Sequence, residues 1–340
     1  MKSDIIGIDL GTCNTLICNA ENILLNETSN LAYIAEASGY NRIYAFGTKA
    51  NDLKGRTPFK IDVKNPICEG VVNNASQTEE LLRFFFSKTL KKKISQPIVI
   101  IGIPFSATNV EQKAVAEILE RCNVKNVFFI YESIASAIGA GLKVQKPVGN
   151  IVVDIGGGTT EISVISLGGI IKNKSFKCGG QHIDLMIQEY IKHKYNIAIG
   201  ISISENLKKE IGSVFVKNKN ENKKFKISGR DLSANKPKIV EITAEDTSIA
   251  MAEFTNQLID NLQIVLSSTP PELVEDITAN GVFLCGGGAK IANLNYVIEK
   301  TTNLKAKVCE PSELCLIKGL QEIINNFKDY KQDVLFQIQY

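Results

Sequence analysis

Two short stretches place a carboxylate just ahead of a glycine turn: Asp9 in GIDLGTCNT at 7–15 and Asp154 in VVDIGGGTT at 152–160. Each Asp closes an apolar run, so each is expected at the end of a strand. A tight Gly turn exposes backbone N–H groups that bind phosphate oxygens, and a carboxylate beside it binds Mg²⁺, often through the ion's waters. Thr12, Asn14, Thr159 and Thr160 add hydroxyl and amide donors. One such turn is ordinary. Two of them, 145 residues apart and each inside a three-strand meander, would face each other and clamp the phosphates of a nucleotide between two domains. A third glycine turn, Gly286-Gly287-Gly288, follows the apolar run VFLC and is expected to open a helix whose N-terminus suits phosphate or nucleotide. The pattern G-x-G-x-x-G is absent, and no acid ends a following strand in the right place, which argues against a nicotinamide cofactor.

Those turns need strands to hold them. Short apolar runs alternate with helical periods throughout, which predicts an α/β protein. The opening reads as a meander of strands at 5–9, 15–18 and 23–26. Ser76-Gln77-Thr78-Glu79 has the form of a capping box and predicts a helix over 77–92; Thr108-Asn109-Val110-Glu111 predicts another to about 121. Strands follow at 98–103 and 127–130, the second ending at Glu132, and the next helix should stop near Gly139 and Gly141. At 150 the pattern restarts with strand, Gly turn, strand, turn, strand. This internal repeat splits the chain near 145, where KVQKPVG reads as a hinge or linker. Helices are then expected near 181–195 and 203–211. The Lys/Asn-rich patch at 217–226 reads as a hairpin loop. Thr243 should cap one long helix carrying Met251, Phe254, Leu258, Leu262 and Val265, broken at Pro270-Pro271. A strand at 281–285 leads into the third glycine turn.

Composition removes several function classes. The chain has 340 residues, 39 basic and 36 acidic, for a formal charge of +3, and its basic set is 34 Lys to 5 Arg. A dedicated nucleic-acid binder would be strongly basic and would use Arg, so no nucleic-acid partner is expected. A 44% apolar content is ample for two cores. No apolar run approaches the ~18 residues that span a membrane. Asp4 and Asp9 interrupt any signal-peptide core. The eight cysteines show neither CxxC nor metal-ligand spacing and read as reduced thiols of a cytoplasmic protein. Two His and no Trp make a His-centred hydrolase or zinc site a poor fit.

The residues that carry the chemistry also carry a resemblance. GIDLGTCNTLI at 7–17, GRTP at 55–58, AIGAGL at 137–142, GNIVVDIGGGTTEISVISLGGI at 149–170, KKEIGS at 208–213, ISGRDL at 227–232, TPPEL at 269–273 and GGGA at 286–289 closely resemble the MreB family of bacterial actins, within the actin/hexokinase/DnaK-chaperone superfamily. The resemblance spans roughly 4–320. SLGGI and TPPEL separate that family from sugar kinases and chaperones. It implies duplicated RNase H-like domains around a nucleotide cleft, with four subdomains. Domain I would cover 1–145, with a small subdomain at about 30–66 and 311–340 packing back on it. Domain II would cover 146–310, with a small subdomain at about 180–242.

The resemblance further implies Mg-ATP or ADP in the cleft, self-association into paired protofilaments, and slow ATP hydrolysis serving cell shape or motility. Asp9 and Asp154 would hold hydrated Mg²⁺. Thr12, Cys13 and Asn14 would form the first phosphate loop, and Gly156, Gly157, Gly158 and Thr159 the second. Glu205 and Lys208 match the Glu-x-x-Lys helix that contacts ribose and adenine; by spacing alone they form a solvent-facing i,i+3 ion pair. Gly286, Gly287, Gly288 and Ala289 would pass under the adenine. Glu132 matches the water-activating residue, with Thr159 as a second water-orienting group; by position alone Glu132 is also a helix N-terminal acid favoured by the macrodipole.

The chain departs from the family pattern at several points. Ser133 stands where Pro usually follows the catalytic Glu, and Tyr131 replaces an acid before it, which predicts a looser helix start. Gly179-Gly180-Gln181-His182 stands for Gly-Gly-Asp-Glu. For membrane contact at the inner face, the family's apolar loop reads Lys91-Lys92-Lys93-Ile94-Ser95, a basic patch. The end of the chain, INNFKDYKQDVLFQIQY, reads as a tail for membrane or partner contact, or as a flexible end. Other bacterial actin paralogues are further candidate partners. The alternatives are a nucleotide-binding filament scaffold with negligible hydrolysis and a small-molecule kinase of the same fold.

Overall fold

A computed structural model describes residues 5–35, 41–58, 60–90, 96–218 and 220–338. Two five-stranded mixed sheets form its frame. The first is built from β1 (Ile5–Leu10), β2 (Asn14–Cys18), β3 (Ile23–Thr28), β4 (Ile98–Ile103) and β5 (Asn126–Tyr131) in the order β5-β4-β1-β2-β3. The second uses β6 (Asn150–Ile155), β7 (Thr160–Ser166), β8 (Gly169–Phe176), β9 (Val282–Cys285) and β10 (Ala306–Val308) in the order β8-β7-β6-β9-β10. In both, the opening strand pairs antiparallel with its hairpin partner and parallel with the strand on its other side. Strand order and direction are therefore the same in the two sheets.

The strands β1, β4, β6 and β7 are buried on both faces, which explains their continuous apolar runs. In β6, Ile151, Val153 and Ile155 face one core and Val152 faces another, the two-residue alternation of a pleated strand. The second of these cores lies between the sheets. It is filled by α3 (Glu132–Gly139) and α10 (Cys315–Asn325), with Ile134, Ile138, Ile317, Leu320 and Ile324 at most 5% exposed. The outer face of the first sheet carries α1 (Ala75–Thr89) and α2 (Asn109–Arg121). The second sheet carries α4 (Gly180–Tyr195), α5 (Ile201–Ile211), α6 (Ala244–Ala250), α7 (Ala252–Ser267), α8 (Pro271–Asn280) and α9 (Leu294–Thr302). Two three-stranded sheets project from the frame. One pairs Leu31–Ala35 with Asn41–Phe46 and Ile61–Lys64; the other pairs Ile197–Ala198, Lys224–Asp231 and Pro237–Thr243.

Several local expectations need correction. α1 is capped by Asn74, whose side chain accepts from the Gln77 N–H at 3.0 Å, so the Ser76 box is not formed. An Asn ahead of the run outcompetes it as an N-cap. The Thr108 and Thr243 capping boxes both form. The long helix after Thr243 is two helices, with the break at Met251. The 217–226 patch is not a hairpin loop: it runs from α5 into the strand Lys224–Asp231, and the hairpin turn follows that strand. The Gly286 turn opens a short 3-10 turn, Gly287–Lys290, not an α-helix.

The end of the chain is not free within the described residues. Val334 and Leu335 are 6% and 8% exposed, and Phe336 exchanges backbone hydrogen bonds with Phe129 at 2.8 and 3.0 Å. Its ring lies 5.1 Å from that of Tyr131. The apolar residues that gave the segment its amphipathic look are spent on β5. The Lys91–Ser95 patch lies outside the described residues. No helix among the described residues is long and apolar enough to cross a membrane.

Candidate nucleotide cleft

The carboxyl ends of β1 and β6 point into a single cavity of about 490 Å³ between the two sheets. Open α/β sheets bind ligands at that end of their strands. Asp9, Gly11, Thr12, Cys13 and Asn14 line it from the first turn, and Asp154, Gly156, Gly157, Gly158 and Thr159 from the second. The two turns touch. A Cβ on Gly157 would lie 2.3 Å from the Cys13 sulfur, and one on Gly158 would lie 2.7 Å from the Thr12 hydroxyl oxygen. Glycine is thus demanded twice by close approach across the cavity. The second turn is closed by the Gly156 N–H donating to the Thr159 carbonyl at 2.9 Å. The first is anchored by the Thr12 hydroxyl, which accepts from the Gly70 N–H at 2.9 Å.

Four acids gather here: Asp9, Glu132 and Asp154 line the cavity, and Glu161 lies behind them. Glu161 stands directly across from Asp154 in the β6–β7 pairing and is 2% exposed. Burial pushes Asp9 up to about 7, with Asp154 adding to it. Burial raises Asp154 to about 6, although a hydrogen bond from the Ser136 hydroxyl at 2.5 Å works against it. Burial also takes Glu161 to about 7. Glu132 stands well above the usual carboxylate range through burial, then through Glu161, Asp9 and Asp154. Like charges this close cannot all ionise at low cost. One Glu161 oxygen accepts from the Phe105 N–H at 3.0 Å, while the other is buried without a partner. Such a cluster is electrostatically incomplete and fits a divalent cation. The carboxylate oxygens do not converge in threes within 4.8 Å. They therefore suit an ion that keeps several waters, as Mg²⁺ does.

Glu132 opens α3 and lines the cavity together with Ser136, one turn further on. The looser start expected from Ser133 and Tyr131 is not observed: the helix runs from Glu132 itself, with Ser133 fully buried beneath it. Thr159 is 9% exposed and lines the cavity, but Thr160 does not; its hydroxyl donates to the Cys178 carbonyl at 2.6 Å.

The Glu205–Lys208 pair separates. Lys208 lines the cavity, pairs with Asp184 at 2.7 Å and donates to the Gly180 carbonyl at 2.6 Å. Glu205 pairs instead with Lys209 at 2.7 Å and is not among the lining residues. The solvent-facing i,i+3 ion pair is therefore not formed. Gly286, Gly287 and Gly288 line the cavity, whereas Ala289 is buried behind them at 1% exposure. Gly286 has φ +80°, and a Cβ there would lie 2.5 Å from an Asp154 carboxylate oxygen, so the turn needs glycine on both counts. Beside it Lys290 pairs with Glu313 at 2.6 Å.

Residues missed in the sequence are Ser136, Glu161, Asp184 and Lys209. Glu161 sits two residues after Thr159, at the second position of β7, a signal that was available. Asp184 is held to Lys208 by folding alone. The Gly179-Gly180-Gln181-His182 stretch starts α4 directly under the second turn: the Gly180 and Gln181 N–H groups donate to the Gly156 and Gly157 carbonyls at 2.9 and 2.8 Å.

Comparison with known proteins identifies relatives over nearly the whole chain. The chain is 37% identical over 323 residues to the cell shape-determining protein Mbl of Bacillus cereus, covering 94% of this chain and 96% of that protein. It is 35% identical over 323 residues to the cell shape-determining protein MreB of Escherichia coli K12, covering 94% and 92%. The crystal structure of MreB 5 of Spiroplasma citri bound to AMPPNP superimposes with a TM-score of 0.91 at 32% identity, covering 96% of this chain and 98% of that one. A MamK double helical filament shares the fold at a TM-score of 0.79 and 19% identity, covering 94% and 98%. The MreB/Mbl protein family model matches residues 3–332, and the chain belongs to that family of actin-like proteins.

Proposed function

We propose that this protein is an ATP-dependent, filament-forming cytoskeletal protein of the bacterial actin type that hydrolyses ATP slowly and serves cell shape or motility. The observation that carries the reading is the pair of glycine turns interlocked over three cavity-lining acids, Asp9, Glu132 and Asp154. A relative of the same fold at 32% identity has been crystallised with AMPPNP, and related proteins are named for cell shape. We read 1–145 and 146–310 as the two halves, with small subdomains at about 30–66 and 180–242 and with 311–340 returning to the first.

In this reading the backbone N–H groups of 12–14 and 157–159 hold the β- and γ-phosphates, while the Gly156 N–H closes the second turn. Asp9 and Asp154 would hold Mg²⁺, which when bound would supply charge neutralisation on the phosphates. Gly286 to Gly288, with Ile291 and Leu316, form the base end, and Lys208 reaches the sugar side. Glu132 accepts a proton from an in-line water, and Thr159 orients that water. Phosphoryl transfer asks mainly for position and charge neutralisation, so one well-placed acid suffices. Burial and the neighbouring acids hold the Glu132 carboxyl above the usual range, and a cation held by Asp9 and Asp154 would draw it back toward the ionised form a base needs.

Asp154→Ala should abolish Mg-ATP binding, read by titration with a fluorescent ATP analogue. Glu132→Ala should bind ATP as before and release phosphate about 10²–10⁴ times more slowly. Equal turnover in that variant removes Glu132 from the chemistry. Sedimentation with and without ATP tests the filament: a species that stays soluble and turns over only with an added acceptor is a kinase instead. Filaments that form without phosphate release identify a scaffold.

A further inference from the structure

Cys285, Cys309 and Cys315 meet behind the cleft, their sulfurs all within 4.8 Å of one another. They come from three elements. Cys285 ends β9, Cys309 follows β10, and Cys315 opens α10. The fold brings them together by constraint. Strands β9 and β10 run parallel with Leu284 opposite Val308, and the Cys309 N–H donates to the Leu284 carbonyl at 3.0 Å. The first turn of α10 is fixed against α3, where a Cβ on Gly139 would lie 1.8 Å from the Cys315 carbonyl oxygen. All three thiols are free; Cys285 and Cys315 are buried and Cys309 is part-exposed. Among the described residues, no other three groups of the metal-ligating kinds converge so closely.

We propose that Cys285, Cys309 and Cys315 form a trithiolate site for a soft closed-shell cation, Cu⁺ or Zn²⁺. Thiolate sulfur selects these ions over Mg²⁺ and Ca²⁺. Metal–sulfur bonds of about 2.3 Å hold neighbouring sulfurs about 3.8–4.0 Å apart, so sub-ångström side-chain adjustment closes the set. An opening of about 240 Å³ beside Cys309 and Cys315 gives a path in, and its charged lining, Lys307 and Lys318 against Glu310, is net positive and offsets an anionic thiolate site. Three sulfurs complete a trigonal Cu⁺ site. Zn²⁺ takes a water as its fourth ligand on the part-exposed Cys309 side. Each thiol releases its proton to solvent as its sulfur takes the ion, and no electron is transferred. The site would tie together three elements at the back of the cleft. Cys285 pairs with Asp154 across β6 and β9, and its sulfur lies 4.0 Å from the Ser136 carbonyl oxygen.

The test uses the reduced full chain under anaerobic conditions, titrated with Cu⁺ or with Zn²⁺ against a chromogenic chelator of that ion. One equivalent of at least one ion should be retained. The loaded protein should protect Cys309 from N-ethylmaleimide about tenfold or more, while exposed Cys68 reacts at an unchanged rate. Cys309→Ser and Cys315→Ser should each weaken retention about tenfold or more, since loss of an outer-shell partner alone costs that much. Cys68→Ser should retain the ion as the parent does. Failure of both ions to be retained overturns the proposal. So does equal retention by Cys309→Ser, a substitution at a part-exposed position whose folding is checked by circular dichroism. Cys309 alkylation at one rate with and without the ion overturns it as well.

Discussion

At the scale of single residues, the cleft is defined by what its acids cannot do alone. Asp9 rises from 3.8 to about 7 and Asp154 to about 6, chiefly because burial disfavours their charge. Between those values and the unfolded ones the native state binds more protons than the unfolded chain, so stability should fall as pH rises from about 4 to about 7. Each such group contributes a slope of at most about 1.4 kcal/mol per pH unit. The melting temperature of the nucleotide-free protein in a metal chelator should therefore drop from about pH 5 to pH 8. Millimolar Mg²⁺ should raise it more at pH 8 than at pH 5, and Asp9→Asn should flatten the profile. A melting temperature independent of both pH and Mg²⁺ would contradict the crowding of these acids. At this scale the sequence was most legible where chemistry is local: Asp9, Asp154, Thr12 and the glycines announce themselves by type and order. It was least legible where a partner comes from elsewhere in the chain. Lys208 finds Asp184 and not Glu205, and three cysteines without metal spacing converge, because both outcomes depend on how helices and strands are laid against each other.

Elements hold those residues through contacts that local preference would oppose. α3 and α10 cross so closely that a Cβ on Gly319 would sit 1.9 Å from the Ala135 carbonyl oxygen. Helix propensity alone makes Gly→Ala in a helix favourable by about 1 kcal/mol. Forced overpacking costs about 1–3 kcal/mol, and here the blocked atom is backbone. Gly319→Ala should therefore lower the urea midpoint, not raise it, and should slow phosphate release by displacing α3 and Glu132 with it. A rise in the midpoint would show that the two helices can part freely. The motif AIGAGL marked the end of α3 in the sequence, yet nothing local to it disclosed the partner helix some 180 residues away. The same holds for the end of the chain. Its alternation of apolar and polar residues reads as an amphipathic tail, and its use is settled by the unpaired edge of β5 beside Tyr131. The capping box at Thr108 and the cap at Thr243 were readable because their partners lie within four residues. The false box at Ser76 failed for the complementary reason, that a better cap two residues earlier takes the same helix start.

For the whole molecule, the repeat matters more than either copy. Duplicating a strand–Gly turn–strand unit gives two sheets of one order, and facing them across a cavity places two phosphate turns in contact. Contacts join the two sheets both through the core between them and across the cavity. Phe105 reaches Glu161 at 3.0 Å, Lys177 reaches Glu69 at 2.7 Å, and Gly158 packs on Thr12 and on the backbone of Glu69. The exposed Lys177–Glu69 pair is worth little by itself, so at the mouth of the cavity shape at the turns counts for more than charge. A methyl group at Gly158 would lie 2.7 Å from the Thr12 hydroxyl oxygen and 2.8 Å from the Glu69 Cα, an overlap relieved only by holding the halves apart. Gly158→Ala should leave both cores intact, with a melting temperature close to the parent's. It should weaken ATP by about tenfold or more, since one lost set of phosphate contacts is worth at least about 1.4 kcal/mol, and it should abolish ATP-dependent pelleting. Pelleting at the parent's level with ATP affinity reduced would separate polymerisation from closure of the cleft. Filament assembly would then have to rest on surfaces away from the nucleotide, and the coupling between the two halves would serve catalysis alone.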